Sequence, residues 1–146
     1  MPENSREKAK ERFCKCGLRC TRQRETIYRA LAATESHPTA EELYKLVRGA
    51  DEGLSLATVY NALEAFCDRG IARRLATTCG PSRYDADVSE HLHVQDSDGK
   101  IHDVPRDLSD QFYDSVGADL MSRIADAMGM DIAGARIELA ARAKRD

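Results

Sequence analysis

The sequence predicts an α+β fold, with an N-terminal winged helix-turn-helix domain over residues 1–84 and a small α/β dimerisation domain over residues 85–146. Three short amphipathic segments, followed by two short extended segments around a turn, predict the first domain. A change of charge marks the second domain. Residues 1–84 carry 15 basic and 11 acidic side chains, whereas residues 85–146 carry 7 basic and 14 acidic ones.

The composition indicates a folded globular protein. Hydrophobic residues make up 42% of the 146 residues and charged residues 32%, which is typical of chains that bury a core. No apolar run reaches the ~18 residues of a membrane span, and "MPENSREKAKERF" has no apolar centre for an export signal. We therefore expect a cytoplasmic protein with no membrane partner.

The five cysteines do not predict a disulfide framework, because their number is odd and no export signal precedes them. Cys14, Cys16 and Cys20 are closely spaced and could bind a soft metal, but they lack the C-x-x-C spacing of a structural zinc site. Their pattern favours unpaired thiols on or near a helix.

The elements of the first domain follow from caps and apolar spacing. "ETIYRALAA" at residues 25–33 has helical spacing, and "SHPTAEELYKLVRG" combines an N-cap at Thr39 with Glu42, the pattern of a capping box. "SLATVYNALEAFCDRG" predicts a third helix, capped by Ser55 and ended by Gly70. "IARRLATTCGPSRYD" predicts two strands around a turn.

The helix before the hairpin is the predicted DNA-recognition helix. In a winged helix-turn-helix this helix enters the major groove, and its first turns must offer groups to bases and phosphates. The basic segment at residues 6–24, with eight basic and two acidic side chains, favours a polyanionic partner. The alternative is an ordinary amphipathic helix with a solvated polar face. The predicted contacts to double-stranded DNA are Arg22, Ala57, Thr58, Tyr60 and Asn61.

The second domain is predicted from a hairpin, a helix and a last strand. "HLHVQDSDGKIHDV" has turn residues at positions 96–99, and "GARIELAARAK" alternates apolar and polar residues. "SDQFYDSVGADLMSRIADAM" predicts one helix ended by Gly129. These few elements form only a thin core. We therefore expect an apolar face to be covered in a homodimer. That face would carry Phe112, Val116, Leu120, Ile124 and Met128.

Histidines and carboxylates are concentrated where the two domains meet. His91 and His93 are two residues apart on a predicted strand and therefore point to one face. Imidazole and carboxylate donors suit Fe(II), Mn(II) or Zn(II). The other candidates are His37 near the start of a helix, Asp85 just before the hairpin, and His102 and Asp103 on its return strand.

Several segments resemble, in order, those of the ferric uptake regulator (Fur) family over residues 18–105. They are "RCTRQRETIYRALA", "HPTAEELYKLV", "LSLATVYNALEAFCDRGIARR", "SRYD" and "HLHV…GKIHD". The resemblance implies a dimeric, metal-responsive winged-helix repressor, which is not an enzyme and has no small organic substrate. "ATVYNALEAF" followed by "SRYD" is most similar to the peroxide-sensing (PerR) branch of the family.

The resemblance implies a regulatory site for Fe(II) or Mn(II), with Zn(II) as another ion, held by His37, Asp85, His91, His93 and Asp103. The hairpin is about one residue shorter than in the family, and a shift of one residue turns a side chain to the opposite face. His102 is therefore an alternative to Asp103, which we favour. The family's usual C-x-x-C pairs are absent, so no structural zinc is expected.

Three functions remain open from the sequence. In a peroxide sensor, Fe(II) would react with peroxide and a ligand, His37 or His91, would be oxidised, so that DNA is released. In a repressor of the iron, manganese or zinc response, reversible loss of the metal would be the signal. A metallohydrolase is disfavoured, because it needs an acid or base beside an open metal position, and the nearby groups already serve as ligands.

Overall fold

The computed structural model of the chain describes residues 2–133, 135 and 137–142, without the side chains of residues 2–4. The chain divides into two compact units, one ending at Ser89 and one beginning at Glu90. This division lies a little after the position expected from the charge change, so that Asp85 belongs to the first unit. No described helix has the length and apolar character needed to cross a membrane.

The first unit contains four helices and a two-stranded sheet: α1 (Pro2–Lys15), α2 (Arg22–Ala33), α3 (Ala40–Val47), α4 (Leu56–Asp68), β1 (Arg73–Leu75) and β2 (Arg83–Asp85). The predicted caps are present at the starts of α3 and α4. The Thr39 side chain accepts from the Glu42 N–H while Glu42 accepts from the Thr39 N–H, and the Ser55 hydroxyl accepts from the Thr58 N–H. β1 and β2 are antiparallel, as the winged-helix pattern predicts.

Helix α1 is not among the three helices predicted for this unit. Its residues are mostly charged, and only Ala9 and Phe13 of its described side chains are buried. Phe13 nevertheless anchors the helix, because its ring stacks on Phe66 and meets the edge of Tyr28, with centroids 5.6 and 5.4 Å apart. Truncation of such a buried ring typically costs about 3–5 kcal/mol. One well-buried aromatic residue therefore anchors a helix whose apolar periodicity is too weak for the sequence to predict it.

The second unit contains a three-stranded sheet and two helices: β3 (His93–Gln95), β4 (Ile101–Asp103), α5 (Arg106–Val116), α6 (Ala118–Met128) and β5 (Glu138–Ala140). The strand order is β4-β3-β5, with β3 and β4 antiparallel and β3 and β5 parallel. The predicted hairpin and last strand are therefore both present. Residues 134, 136 and 143–146 of "GARIELAARAK" and its continuation lie outside the described residues.

The prediction of one helix over residues 109–128 is wrong, because α5 ends and α6 begins at Gly117. This glycine has φ 67° and ψ 147°, which interrupts helical hydrogen bonding and which side-chain-bearing residues rarely adopt. The predicted apolar face is thus divided between two helices. Its members Leu120, Ile124 and Met128 are exposed, at 43%, 40% and 62%.

Candidate metal centre

His37 and Asp85 form a buried pair in the first unit. His37 Nε2 lies 3.3 Å from Asp85 Oδ2, and the two side chains are 2% and 9% exposed. The backbone brings them together, because the Tyr84 N–H at the centre of β2 donates to the Pro38 carbonyl at 3.0 Å. The other Asp85 oxygen, Oδ1, accepts from the Asp87 N–H at 2.8 Å. That bond orients the carboxylate.

His91, His93 and Asp103 form a second group, within the second unit. Asp103 Oδ1 lies 3.0 Å from His91 Nε2 and 3.2 Å from His93 Nε2, and the two imidazole centroids are 4.4 Å apart. Strand register explains the contact, because His93 is the direct antiparallel partner of Asp103. Both histidines are buried, whereas the Asp103 side chain is 42% exposed.

His102 lies away from this group. Its Nε2 is 2.8 Å from Asp96 Oδ2 across the hairpin turn, and its side chain is 58% exposed. The hydrogen bond from His102 lowers the pKa of Asp96 below its usual value. Successive residues of a strand point to opposite faces, so the observed register directs Asp103 toward the histidines and His102 away from them. We therefore retain Asp103 as the candidate ligand.

The donor atoms of both groups fit a borderline-to-hard divalent ion. In each group, imidazole Nε2 atoms lie within 3.3 Å of carboxylate oxygens, a combination that binds Fe(II), Mn(II) or Zn(II). The five cysteines are unpaired, and no metal-binding cluster found among the described residues includes a thiol. Burial raises the pKa of the Cys67 thiol, which disfavours the thiolate that a soft metal needs.

The residues that are predicted to contact DNA lie on the first turns of two helices. Ala57, Tyr60 and Asn61 are exposed on the first turns of α4, and Arg22 is exposed at the start of α2. Thr58 is half-buried, and its hydroxyl shares a hydrogen bond of 2.9 Å with that of the cap Ser55. Thr58 is thus partly committed to capping the helix.

Two residues near these sites were not identified from the sequence. Glu41 on α3 accepts a hydrogen bond from the Tyr60 hydroxyl at 2.7 Å. Arg83 on β2 donates to the His37 carbonyl at 3.0 Å. Both contacts join residues far apart in the chain, and no local pattern indicates them.

The sequence of the chain is similar to those of known regulatory proteins. Residues 15–138 match the model of the Ferric uptake regulator family. The chain is 36% identical over 104 residues to the peroxide operon regulator of Bacillus subtilis, which covers 70% of this chain and 72% of that protein. It is 40% identical over 80 residues to the peroxide-responsive repressor PerR of Staphylococcus epidermidis, which covers 55% and 53%. The chain thus spans about half the length of this last relative.

Solved structures share the fold. The ferric uptake regulator from Pseudomonas aeruginosa with manganese matches with a TM-score of 0.70 at 27% identity, over 93% of this chain and 98% of that one. The resemblance therefore extends over both units.

Proposed function

The chain belongs to the ferric uptake regulator family, and we propose that it is a DNA-binding repressor that senses peroxide through a regulatory Fe(II) or Mn(II) ion. Members of this family are transcriptional regulators and not enzymes. One observation carries the proposal. His91 and His93 both lie within 3.2 Å of a single carboxylate oxygen of Asp103, which is a ready set of ligands for such an ion.

We further propose that His37 and Asp85 bind the same ion as this group. Their mutual distance of 3.3 Å and their burial support a role as ligands. An ion held by residues of both units would couple metal binding to DNA affinity. The two half-sites of an operator require a fixed spacing of the recognition helices, and a ligand shifts a conformational equilibrium when it binds one arrangement better.

The likeness to peroxide-responsive repressors supports the sensing step. Bound Fe(II) would activate peroxide, with His37 and His91 as the proposed sites of oxidation. The O–O bond of peroxide would break, one oxygen atom would be added to the imidazole, which is oxidised by two electrons, and the other would leave as water. The chain's own contribution is to hold these imidazoles beside carboxylates, His37 with Asp85 and His91 with Asp103. Loss of one imidazole as a ligand would weaken ion binding and hence DNA binding.

The proposed partners are double-stranded operator DNA and a second copy of the chain. The proposed location is the cytoplasm. Exposed side chains on α4 support the first. The second unit supports the homodimer, because it exposes many large apolar side chains, more than a monomer usually leaves in water. They are Leu108, Leu120, Ile124, Met128, Met130, Ile132 and Leu139.

Mass spectrometry after a low dose of peroxide tests the sensing step. We expect the Fe(II)-loaded protein to gain one oxygen atom on a peptide that contains His37 or His91, and to release operator DNA in a gel-shift assay. Mn(II)-loaded protein is the matched control and should retain DNA. Oxidation confined to the exposed His102 would contradict the proposal, because that residue lies outside both groups.

The alternative function is a repressor that responds to the availability of iron, manganese or zinc. The similarity to a ferric uptake regulator with manganese supports this alternative. The same experiment separates the two functions. A metal-availability repressor would release DNA on chelation but would show no oxidised histidine after peroxide.

A further inference from the structure

His37 has an unusual backbone conformation for a candidate ligand. Among the described residues other than glycine, only His37 has a positive φ, at 47°. This left-handed conformation is disfavoured for L-residues, and a following proline also pushes the preceding residue toward extended backbone. Residues held in such conformations persist only where their surroundings enforce them, and they concentrate at functional sites. The contacts that enforce φ at His37 are therefore informative.

Arg83 supplies the central contact. One of its guanidinium nitrogens, Nη1, donates both to the His37 carbonyl and to Glu42 Oε2, each at 3.0 Å. The Arg83 side chain is only 12% exposed, so these charge-assisted bonds are partly shielded from water. Glu42 is itself fixed, because the same Oε2 accepts from the Thr39 N–H in the capping box of α3.

The backbone around this contact is held as well. Thr39 and Arg83 form an antiparallel bridge, and the Tyr84 N–H donates to the Pro38 carbonyl at 3.0 Å. Residues 37–39 are thus tied to β2 by main-chain bonds on one side and by the Arg83 guanidinium on the other. The bond to Arg83 fixes the carbonyl side of His37 and therefore opposes rotation of that peptide.

We call the contact of the Arg83 guanidinium with the His37 carbonyl the clamp. Strand geometry connects this clamp with the candidate metal site. Arg83 and Asp85 are two residues apart on β2, so their side chains lie on the same face of the strand. Arg83 holds the carbonyl of His37, and Asp85 Oδ2 faces its imidazole at 3.3 Å. A single strand face therefore fixes both ends of this residue.

We propose that Arg83 is a positioning residue, which locks His37 in its left-handed conformation and so preorganises its imidazole for metal binding. The inference rests on the proposed function, because it takes His37 as a ligand. Partners that orient a metal ligand typically contribute about 10- to 100-fold to metal affinity. Without Arg83, His37 would relax toward ordinary backbone angles, and binding would have to restore the strained conformation.

Titration of the 146-residue chain with Mn(II) tests the role of Arg83. Arg83→Met should weaken binding by about 10- to 100-fold. The matched control is Arg74→Met, which removes an equal charge from the same two-stranded sheet, where Arg74 donates to the Tyr84 hydroxyl. Arg83→Lys tests whether the loss of affinity in Arg83→Met comes from a folding defect. It keeps the charge and one nitrogen with enough hydrogens for both acceptors, and it should recover part of the lost affinity.

A double-mutant cycle distinguishes positioning from general stability. If Arg83 acts through His37, Arg83→Met should cost little further affinity in a His37→Ala background, whereas a purely structural contribution would add in full. If His37→Ala lost Mn(II) affinity but Arg83→Met bound Mn(II) as well as Arg74→Met does, the positioning role of Arg83 would be overturned. The proposed ligand set would stand. Mn(II) binding unaffected by His37→Ala would overturn the proposed ligand set and the clamp with it.

Discussion

The Tyr60 hydroxyl donates a hydrogen bond of 2.7 Å to Glu41 Oε1, and this bond joins the predicted recognition helix α4 to α3. The bond favours the carboxylate of Glu41 and the neutral phenol of Tyr60. It lowers the pKa of Glu41 below its ordinary 4.5 and raises the pKa of Tyr60 above 10.0. The exposed phenol that is proposed to contact DNA is therefore already hydrogen-bonded to Glu41 in the DNA-free protein.

We expect the contribution of this bond to stability to depend on pH. Because the pKa of Glu41 is lowered in the folded protein, the contribution is complete above pH 4.5 and is lost as pH falls through the folded-state pKa. Tyr60→Phe removes the donor and should cost about 1 kcal/mol at pH 7. Urea unfolding of both proteins at pH 7 and pH 3 measures the difference. A difference in unfolding free energy that is unchanged at pH 3 would contradict the assignment.

We expect Tyr60→Ala and Asn61→Ala to weaken operator binding and to leave Mn(II) binding intact. Both residues are exposed on the first turns of α4, and loss of one base contact typically costs about 1–3 kcal/mol. Fluorescence anisotropy with an operator duplex at fixed salt measures the affinity, and calorimetry measures metal binding. Wild-type DNA affinity in both variants would place a different helix in the groove.

Local signals account for the elements that could be predicted. The capping box of Thr39 and Glu42 marks the start of α3, and alternating residues mark the short strands. Helix α1 could not be predicted, because only Ala9 and Phe13 of its described side chains are buried. The break at Gly117 was missed because apolar residues continue at helical spacing on both sides of it.

Only part of the candidate site could be predicted from the sequence, because local spacing is visible in a sequence and contacts between distant residues are not. The spacing of His91 and His93 on one strand is local, and the sequence predicts it. The choice between Asp103 and His102 depends on the strand register, which only the hairpin structure supplies. The contact of Arg83 with His37 joins residues 46 positions apart and depends on a left-handed backbone, which composition and periodicity do not report.

We expect Asp103→Ala to abolish most Mn(II) binding and His102→Ala to leave it unchanged. Asp103 Oδ1 lies within 3.2 Å of two imidazoles, whereas the imidazole of His102 contacts Asp96 at the hairpin turn. His102→Ala is the matched control, because it alters the neighbouring position of the same strand. Calorimetric titration measures both. Loss of binding in His102→Ala with retention in Asp103→Ala would show that the register differs in the metal-loaded protein.

We expect exhaustive chelation to leave a folded homodimer. No C-x-x-C pair follows His93, and no metal-binding cluster found among the described residues includes a thiol. Circular dichroism and light scattering before and after chelation measure fold and oligomeric state. Unfolding on chelation would reveal a structural metal site, because metal binding to such a site contributes directly to folding. Cys14, Cys16 and Cys20 would then be the first residues to replace.

We expect His37→Ala to separate metal binding from metal control of DNA binding. The structure assigns His37 and Asp85 to the winged-helix unit, and His91, His93 and Asp103 to the second unit. The second group alone provides three donors, so His37→Ala should retain appreciable Mn(II) affinity. It should nevertheless lose most of the effect of Mn(II) on operator affinity, because the ion would lose a ligand from the unit that is proposed to contact DNA.

The coupling at stake is of the usual allosteric size, about 1–3 kcal/mol, or roughly 5–150-fold in operator affinity. Operator titrations with and without Mn(II) measure it in each variant. Asp85→Ala should behave like His37→Ala, because it lies in the same unit, whereas His91→Ala and His93→Ala should lose both binding and coupling. If His37→Ala responded to Mn(II) like the wild type, His37 would be only a buried partner of Asp85. The coupling would then have to depend on Asp85 or arise within the second unit.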